Sequence, residues 1–497
     1  MQTVCFQGIE AVPIDVQIMI SPGLPSFSVV GLPDKAVSES RERIKAALHA
    51  IGIALPSKKI TVNLSPANIK KEGSHYDLPI ALCLLSSLGA VDSDLSRYIA
   101  IGELSLDGRI VPVHGVLSTA LRALESEKGL ICPYECGGEA VWAGNLEVIA
   151  SKHIIEIANH FKGAQVLSAP AREAESLISF DKDFSDVKGQ NIAKRALEIA
   201  AAGGHNVLMI GQPGIGKSML AARMQTILPP LTARESLEVT MINSVAQVGA
   251  IGRLARKRPF RSPHHSASTV SMIGGGIYAV PGEVSLAHGG ILFLDELAEF
   301  SRGAMEALRQ PMESGEAIIS RANAHISYPA RFQLIAAMNP CRCGYFGDKE
   351  KQCRQSPECA DQYKRKLSGP FLDRIDISID IFQTKNALIS SIGKEEKSDV
   401  IRSRVIAARA IQQRRYGVPD SLEFLNANIS DSEFRGKSEC SDDAMRILAK
   451  ATEKLSLSMR AHSRLLRVAR TIADIEGCEQ ILKAHMAEAL GYRGHRW

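Results

Sequence analysis

Gly211-Gln212-Pro213-Gly214-Ile215-Gly216-Lys217-Ser218 fills every position of the pattern G-x-x-x-x-G-K-[ST]. The apolar run Val207-Leu208-Met209-Ile210 comes directly before it, and residues able to continue a helix follow from Met219. Few features constrain a fold more. A strand must deliver the chain to a glycine turn and a helix must leave it, so that backbone N–H groups and a helix N-terminus surround a phosphate chain. In that arrangement Gly211, Gln212, Pro213, Gly214, Ile215 and Gly216 form the cradle. Lys217 reaches the β- and γ-phosphates, and Ser218 offers its hydroxyl to Mg2+.

The partners of such a loop follow in order. Ile291-Leu292-Phe293-Leu294 ends in Asp295-Glu296, an apolar strand whose carboxyl end meets the phosphates. Asp295 is expected to hold Mg2+ and Glu296 to polarise the attacking water. Ala336-Ala337-Met338 closes another buried strand and places Asn339 for the water or γ-phosphate. Phe371-Leu372-Asp373-Arg374-Ile375-Asp376 sets one arginine between acids, a candidate to reach a neighbour's nucleotide and stabilise transition-state charge. The competing reading of Arg374 is a surface ion pair with Asp373 or Asp376.

At roughly 150 residues per domain, 497 residues suggest about three domains. Residues 1–165 mix strand-like and helical patterns, and 166–185 read as a polar linker. Residues 186–384 alternate strands and helices as a doubly wound α/β domain should, and 385–497 read as a helical, arginine-bearing lid. Aromatics are only 5%, so the cores must be aliphatic, as in parallel α/β sheets. The net charge of +5 is a weak argument for nucleic acid on its own. No run of 18 apolar residues suggests a membrane span, and Met1-Gln2-Thr3-Val4-Cys5 lacks the features of a secretory signal. Ten cysteines in so long a chain do not suggest a disulfide framework, so a cytoplasmic protein is expected.

The order of these motifs resembles that of AAA+ ATPases. Three strings narrow the resemblance: Arg258-Pro259-Phe260-Arg261-Ser262-Pro263-His264-His265, Pro281-Gly282-Glu283-Val284-Ser285-Leu286-Ala287-His288 and Met338-Asn339-Pro340-Cys341-Arg342-Cys343-Gly344. They are similar to those of the magnesium-chelatase-like ATPases of the YifB/ComM family, and the resemblance covers essentially the whole chain. It implies ATP and Mg2+, a homo-hexameric ring, and Arg374 as a finger acting in trans. It also implies a second γ-phosphate sensor on the helix around Ser458. Arg460 is the preferred residue, with Arg464 and Arg467 on nearby helical positions. The family role is that of a DNA helicase in branch migration, promoting integration of DNA in homologous recombination and natural transformation. Single-stranded and branched DNA are therefore the expected partners. A chelatase-type motor and a protein-remodelling ATPase are the alternatives, although no integrin-like partner module is present in this chain.

The stretches outside the ATPase motifs bear on the substrate. No acid occurs from Val239 to Gly282, while Arg253, Arg256, Lys257, Arg258 and Arg261 do. Such a strip suits a phosphate backbone, or else a solvated face or subunit contact. A glycine-flanked loop carries Ile277 and Tyr278, and a hairpin read from Glu316 to Tyr328 carries Arg321. By their places before the Asp-Glu strand and before Asn339, they resemble the two pore insertions of the chelatase clade. Tyr278 would then stack on a base and Arg321 would hold a phosphate. Packing against a neighbouring subunit is the other reading of Tyr278.

Cys341-x-Cys343, then Cys353, then Cys359 could supply four thiolates to Zn2+. Cys132 and Cys136 have no second pair and read as structural. The N-terminal region resembles the Lon peptidase domain, most clearly at Gly102-Glu103-Leu104-Ser105-Leu106-Asp107-Gly108-Arg109-Ile110-Val111-Pro112-Val113. In Lys71-Glu72-Gly73-Ser74-His75 the nucleophile position is taken by His75, and the base lysine's position by Leu117. An inactive peptidase fold is implied, because a serine without its base is not activated. The remaining possibility is Ser74 acting with Lys70 or Lys71.

Overall fold

The computed structural model describes residues 1–91, 94–172, 179–249, 251–276, 279–321, 324–346, 355, 357–382, 395–417 and 424–493. The chain divides into two compact units. One comprises Met1–Leu177 with Ser236–Ala255, the other Ile178–Glu235 with Arg256–Trp497.

The first unit is built on a seven-stranded mixed sheet. Its spatial order is Ser26–Val30, Lys59–Ser65, Glu10–Ser21, Gln2–Gln7, Tyr98–Ala100, Gly129–Pro133, Val148–Ser151. Gln2–Gln7 and Glu10–Ser21 form an antiparallel hairpin, and Glu10–Ser21 pairs antiparallel with Lys59–Ser65. The helix Lys35–Ala50 starts where Asp34 accepts a hydrogen bond from Val37 N at 2.7 Å. The helix Asp77–Ser87 is apolar on nearly every side and is buried from Asp77 through Leu85.

Ser236–Ala255 was read from sequence as part of the ATPase region, yet it packs within this first unit. Gly115 N donates to Ser244 Oγ at 2.7 Å, and Gly252 N donates to Glu139 Oε2 at 3.1 Å. A Cβ on Gly252 would lie 2.1 Å from the carbonyl oxygen of Glu135, so only glycine allows this approach. Burial pushes the Glu139 carboxyl up to about 7, against the opposing N–H bonds from Gly252 and Leu117.

The second unit holds a five-stranded, all-parallel sheet in the order Phe260–Arg261, Ile291–Leu294, Gln333–Met338, Val207–Gly211, Ile377–Ile381. The central strands Ile291–Leu294 and Gln333–Met338 are buried along their whole length, as strands of a parallel sheet are expected to be. The lid is not a separate body. Leu465, Val468 and Ile472 of the helix Met459–Ile475 share one core with Val207, Met209 and Ile379 of the sheet. Among the described residues, no helix is long and apolar enough to cross a membrane.

Candidate active site

In a parallel sheet every strand ends on the same edge, and three of these ends bring the candidate phosphate-site residues together. Val207–Gly211 runs into the glycine turn, where Gly214 has φ +76° and Gly216 φ +97°. Both are left-handed conformations that glycine adopts without strain. The helix Lys217–Ile227 then starts at the lysine itself. Lys217 Nζ donates to Gly211 O at 2.6 Å, to Gln212 O at 3.0 Å and to Asn339 Oδ1 at 3.1 Å. The ammonium is thus folded over its own loop and tied to the residue that ends Gln333–Met338. Burial lowers its pKa, against the opposing charges of Asp295 and Glu296.

Ser218 Oγ donates to Asp295 Oδ2 at 2.6 Å. A hydroxyl and a carboxylate that converge so closely form the oxygen donor set a hard cation takes, so the residues fit Mg2+. Glu296 follows with φ +52°, its backbone N–H donating to Asp295 Oδ1 at 2.9 Å. Glu296 Oε2 lies 3.2 Å from His265 Nδ1, a partner the sequence did not suggest. His265 in turn stacks on His264, with ring centroids 4.0 Å apart.

Arg374 stands at the opposite edge. Its carbonyl accepts from Asn206 Nδ2 at 3.0 Å, just before the strand Val207–Gly211 begins. From Asn206 to Gly211 the strand spans about 16 Å, more than one side chain can reach. Arg374 is 4% exposed and forms an ion pair with Glu313, not with Asp373 or Asp376. Arg460 Nη2 meets the same carboxylate at 3.0 Å. The alternative sensors are engaged within the fold: Arg464 with Asp376 at 2.6 Å, and Arg467 with Asp431 at 2.6 Å. Arg460 keeps half of its side chain exposed. A cavity of about 470 Å³ opens on this edge, lined by Asn206, Glu313, Gln333, Arg460, Arg464 and Arg467.

Part of the basic strip is neutralised inside the unit. Arg258 is buried and pairs with Glu235 at 2.9 Å, while Arg261 makes a two-point bond to Glu283 at 2.7 and 2.8 Å. Neither is available to a phosphate backbone, which corrects the reading of a continuous cationic strip. Lys257 is exposed, with its ammonium 5.5 Å from the Phe180 ring. Arg256 is half-buried.

The hairpin expected before Asn339 consists of Glu316–Arg321 paired antiparallel with Ala324–Pro329. Gly274–Gly275 pairs with Val280–Pro281 at the base of the glycine-flanked loop. Tyr328 Oη donates to Ala279 O at 3.0 Å and fastens hairpin and loop together. Ile277, Tyr278 and the Arg321 side chain lie outside the described residues. Cys341 is buried and groups with Cys343 and Cys359, whereas Cys353 lies outside the described residues.

In the first unit Ser74 donates to the Glu103 carboxylate, Lys71 to the Pro66 carbonyl and Lys70 to Glu72. His75 is buried, bonds Val4 O at 3.0 Å and is pushed down to about 4 by that burial. Leu117 is buried in the core. Cys132 and Cys136 are buried free thiols.

With this geometry established, similarity to known proteins becomes informative. Residues 16–136 match the family model of subunit ChlI of Mg-chelatase, 183–389 that of magnesium chelatase, subunit ChlI, and 395–493 that of its C-terminal region. The chain is 43% identical over 488 residues to an uncharacterized protein YifB of Salmonella typhimurium, covering 98% of this chain and 95% of that one. It is 42% identical over 493 residues to competence protein ComM of Haemophilus influenzae, with the same coverage. It is 25% identical over 325 residues to the magnesium-chelatase 38 kDa subunit of Rhodobacter capsulatus, covering 61% of this chain and 84% of the subunit.

Proposed function

The chain belongs to the magnesium-chelatase ChlI-like family of AAA+ ATPases, alongside the relatives named YifB and ComM, and from that premise we propose that it is a ring-shaped DNA motor. It works as a cytoplasmic homo-hexamer that drives branch migration on branched and single-stranded DNA. Its output is the integration of DNA in homologous recombination and natural transformation.

One observation carries the ring. Arg374 and Arg460 gather on Glu313 at the sheet edge opposite Lys217, so a finger on this edge serves a neighbour's nucleotide and not its own. A ring closes such head-to-tail contacts. In the shared pocket Lys217 and the backbone of Gly211–Gly216 hold the phosphates of ATP. Ser218 and Asp295 would hold Mg2+, which would supply charge compensation for the phosphates. Glu296 takes the proton from the attacking water as its oxygen bonds the γ-phosphorus. The bond from that phosphorus to the β–γ bridging oxygen breaks, giving ADP and phosphate. Asn339 orients the water or the γ-phosphate, and the neighbour's Arg374 and Arg460 oppose the charge that builds there.

The DNA reading is supported by the resemblance to the competence relative and by the joined insertions. Asn339 ends the strand that follows the hairpin, and Tyr328 fastens the hairpin to the Ile277–Tyr278 loop, so movement at the γ-phosphate has a short route to both. Ile277, Tyr278 and Arg321 are the proposed contacts to the strand, with Arg256 and Lys257 as further phosphate contacts. The test is ATP turnover with and without a four-way junction or single-stranded DNA, alongside particle imaging. Stimulation by DNA and six-membered rings are expected. Stimulation by a porphyrin or by unfolded protein, with none by DNA, would replace this reading by a chelatase-type or remodelling one.

A further inference from the structure

Cys341 and Cys343 lie on the turn that leaves the strand Gln333–Met338, immediately beyond Asn339. Cys359 meets them from the helix Glu358–Lys364. The three Sγ atoms lie within 4.8 Å of one another, and those of Cys341 and Cys343 are 3.0 Å apart. Tetrahedral zinc with Zn–S bonds of about 2.3 Å separates its thiolates by about 3.8 Å, within the range these sulfurs span. Small adjustments of three side chains would complete that geometry. Cys343 and Cys359 are only half-buried, so apolar packing is a poor explanation for the convergence.

The same turn touches the nucleotide site twice. Asn339 accepts from Lys217 at 3.1 Å. Gly344, at φ +85°, donates to Cys341 O at 3.0 Å and lies so close to the phosphate loop that a Cβ there would sit 2.7 Å from Pro213 Cγ. The thiol turn is thus backed directly against the cradle.

We infer that Cys341, Cys343 and Cys359 bind a structural zinc ion that locks this turn, and through it Asn339 and Pro213. Each thiol gives up its proton on binding, no electron is exchanged, and the fourth tetrahedral position is taken by a donor beyond these three. A disulfide between Cys341 and Cys343 is the competing chemistry. It would need an oxidant and would leave Cys359 without a role.

The experiment measures zinc and free thiols in the purified full-length chain and in Cys359→Ser, with circular dichroism and nucleotide binding on both. About one zinc per chain is expected in the parent and less than about half of that in the variant. Cobalt reconstitution of the parent should give the visible bands of tetrahedral thiolate coordination. Removing the metal with a mercurial should weaken nucleotide binding about tenfold, and restored thiols with added zinc should recover it. These readouts do not require DNA or hydrolysis, so they stand apart from the motor reading. A zinc-free parent prepared with zinc present, whether with free thiols or a Cys341–Cys343 disulfide, would overturn the site. Unchanged zinc in Cys359→Ser would overturn the ligand set, and unchanged nucleotide binding after zinc loss would overturn the coupling.

Discussion

Arg374 and Arg460 meet on the carboxylate of Glu313, although they come from the sheet edge and from the lid. Burial opposes ionisation of Glu313. The hydrogen bond and charge of Arg374, with the charges of Arg460 and Arg309, outweigh it and hold the carboxyl below its ordinary range. The acid keeps two guanidiniums side by side, and a γ-phosphate from a neighbouring subunit would compete with it for both.

A composite pocket makes a sharp prediction. Arg374→Ala and Glu296→Gln should each cost at least about a thousandfold in ATP turnover. Mixed in equal amounts and allowed to reassemble, the two inactive variants should regain activity, because about a quarter of interfaces would join an intact Glu296 to an intact Arg374. Turnover of the mixture against each variant alone checks this. No recovery, with mixed rings demonstrated by labelling, would place both residues in one subunit's site.

Lys217 and Glu296 should separate binding from chemistry. Lys217→Ala removes the ammonium that bridges the loop and Asn339, and should abolish detectable nucleotide binding. Glu296→Gln keeps the loop intact and should still bind ATP while turning it over at least about a thousandfold more slowly. Equilibrium binding of a fluorescent nucleotide, beside single-turnover hydrolysis, distinguishes the two.

The phosphate half of the candidate site was legible because Asp295 and Asn339 each follow an apolar strand that announces them, and Lys217 opens the helix after the glycine turn that a third such strand enters. Asp295, Asn339 and Lys217 all carry such local signals. Glu313 carries none. It lies in the short helix Arg309–Ser314 and faces Arg460, 147 positions away. The acid-free window from Val239 to Gly282 suggested free cations. The partners of Arg258 and Arg261 are Glu235 and Glu283, which stand just outside its two ends. The place of Ser236–Ala255 was hidden for a similar reason. Its anchors to Glu139 and Gly115 span more than a hundred positions and leave no periodic trace.

His265 is predicted to be a positioning residue for Glu296. Its ring nitrogen stands 3.2 Å from the Glu296 carboxylate. His265→Ala should lower kcat about tenfold, the worth of one hydrogen bond, with KM for ATP nearly unchanged. His265→Gln, which can still donate, should recover most of the loss. A rise in KM without a fall in kcat would show instead that His265 acts in binding.

His75 makes acid a specific threat to the N-terminal unit. Its pKa falls from 6.5 to about 4 through burial, so below pH 6.5 the unfolded chain takes a proton that the folded one refuses. Its contribution to stability is present above that pH and is lost as pH falls towards 4. In His75→Phe, which removes the titration and keeps an aromatic ring beside Phe6 and Tyr76, denaturant midpoints should decline less between pH 7 and pH 4.5 than in the parent.

Glu139 acts in the opposite direction. Its pKa rises from 4.5 to about 7, so the folded chain holds a proton that the unfolded chain has already released. The stability this proton gives is complete below pH 4.5 and is lost as pH climbs through 7, with a full swing of about 3 kcal/mol. Gly252 N and Leu117 N bond the carboxyl and favour its ionised form, but the cost of burying that charge outweighs them, so ionisation at high pH weakens the fold around the anchor of Ser236–Ala255. Glu139→Gln carries no charge at any pH and should flatten this slope. Denaturant unfolding of the full chain at pH 5 and pH 8 measures it: the parent should lose stability relative to the variant over that interval. Hydrogen exchange at Gly252 should quicken with pH in the parent beyond its intrinsic increase, and not in Glu139→Gln. Parallel slopes in the two proteins would mean that Glu139 titrates alike folded and unfolded.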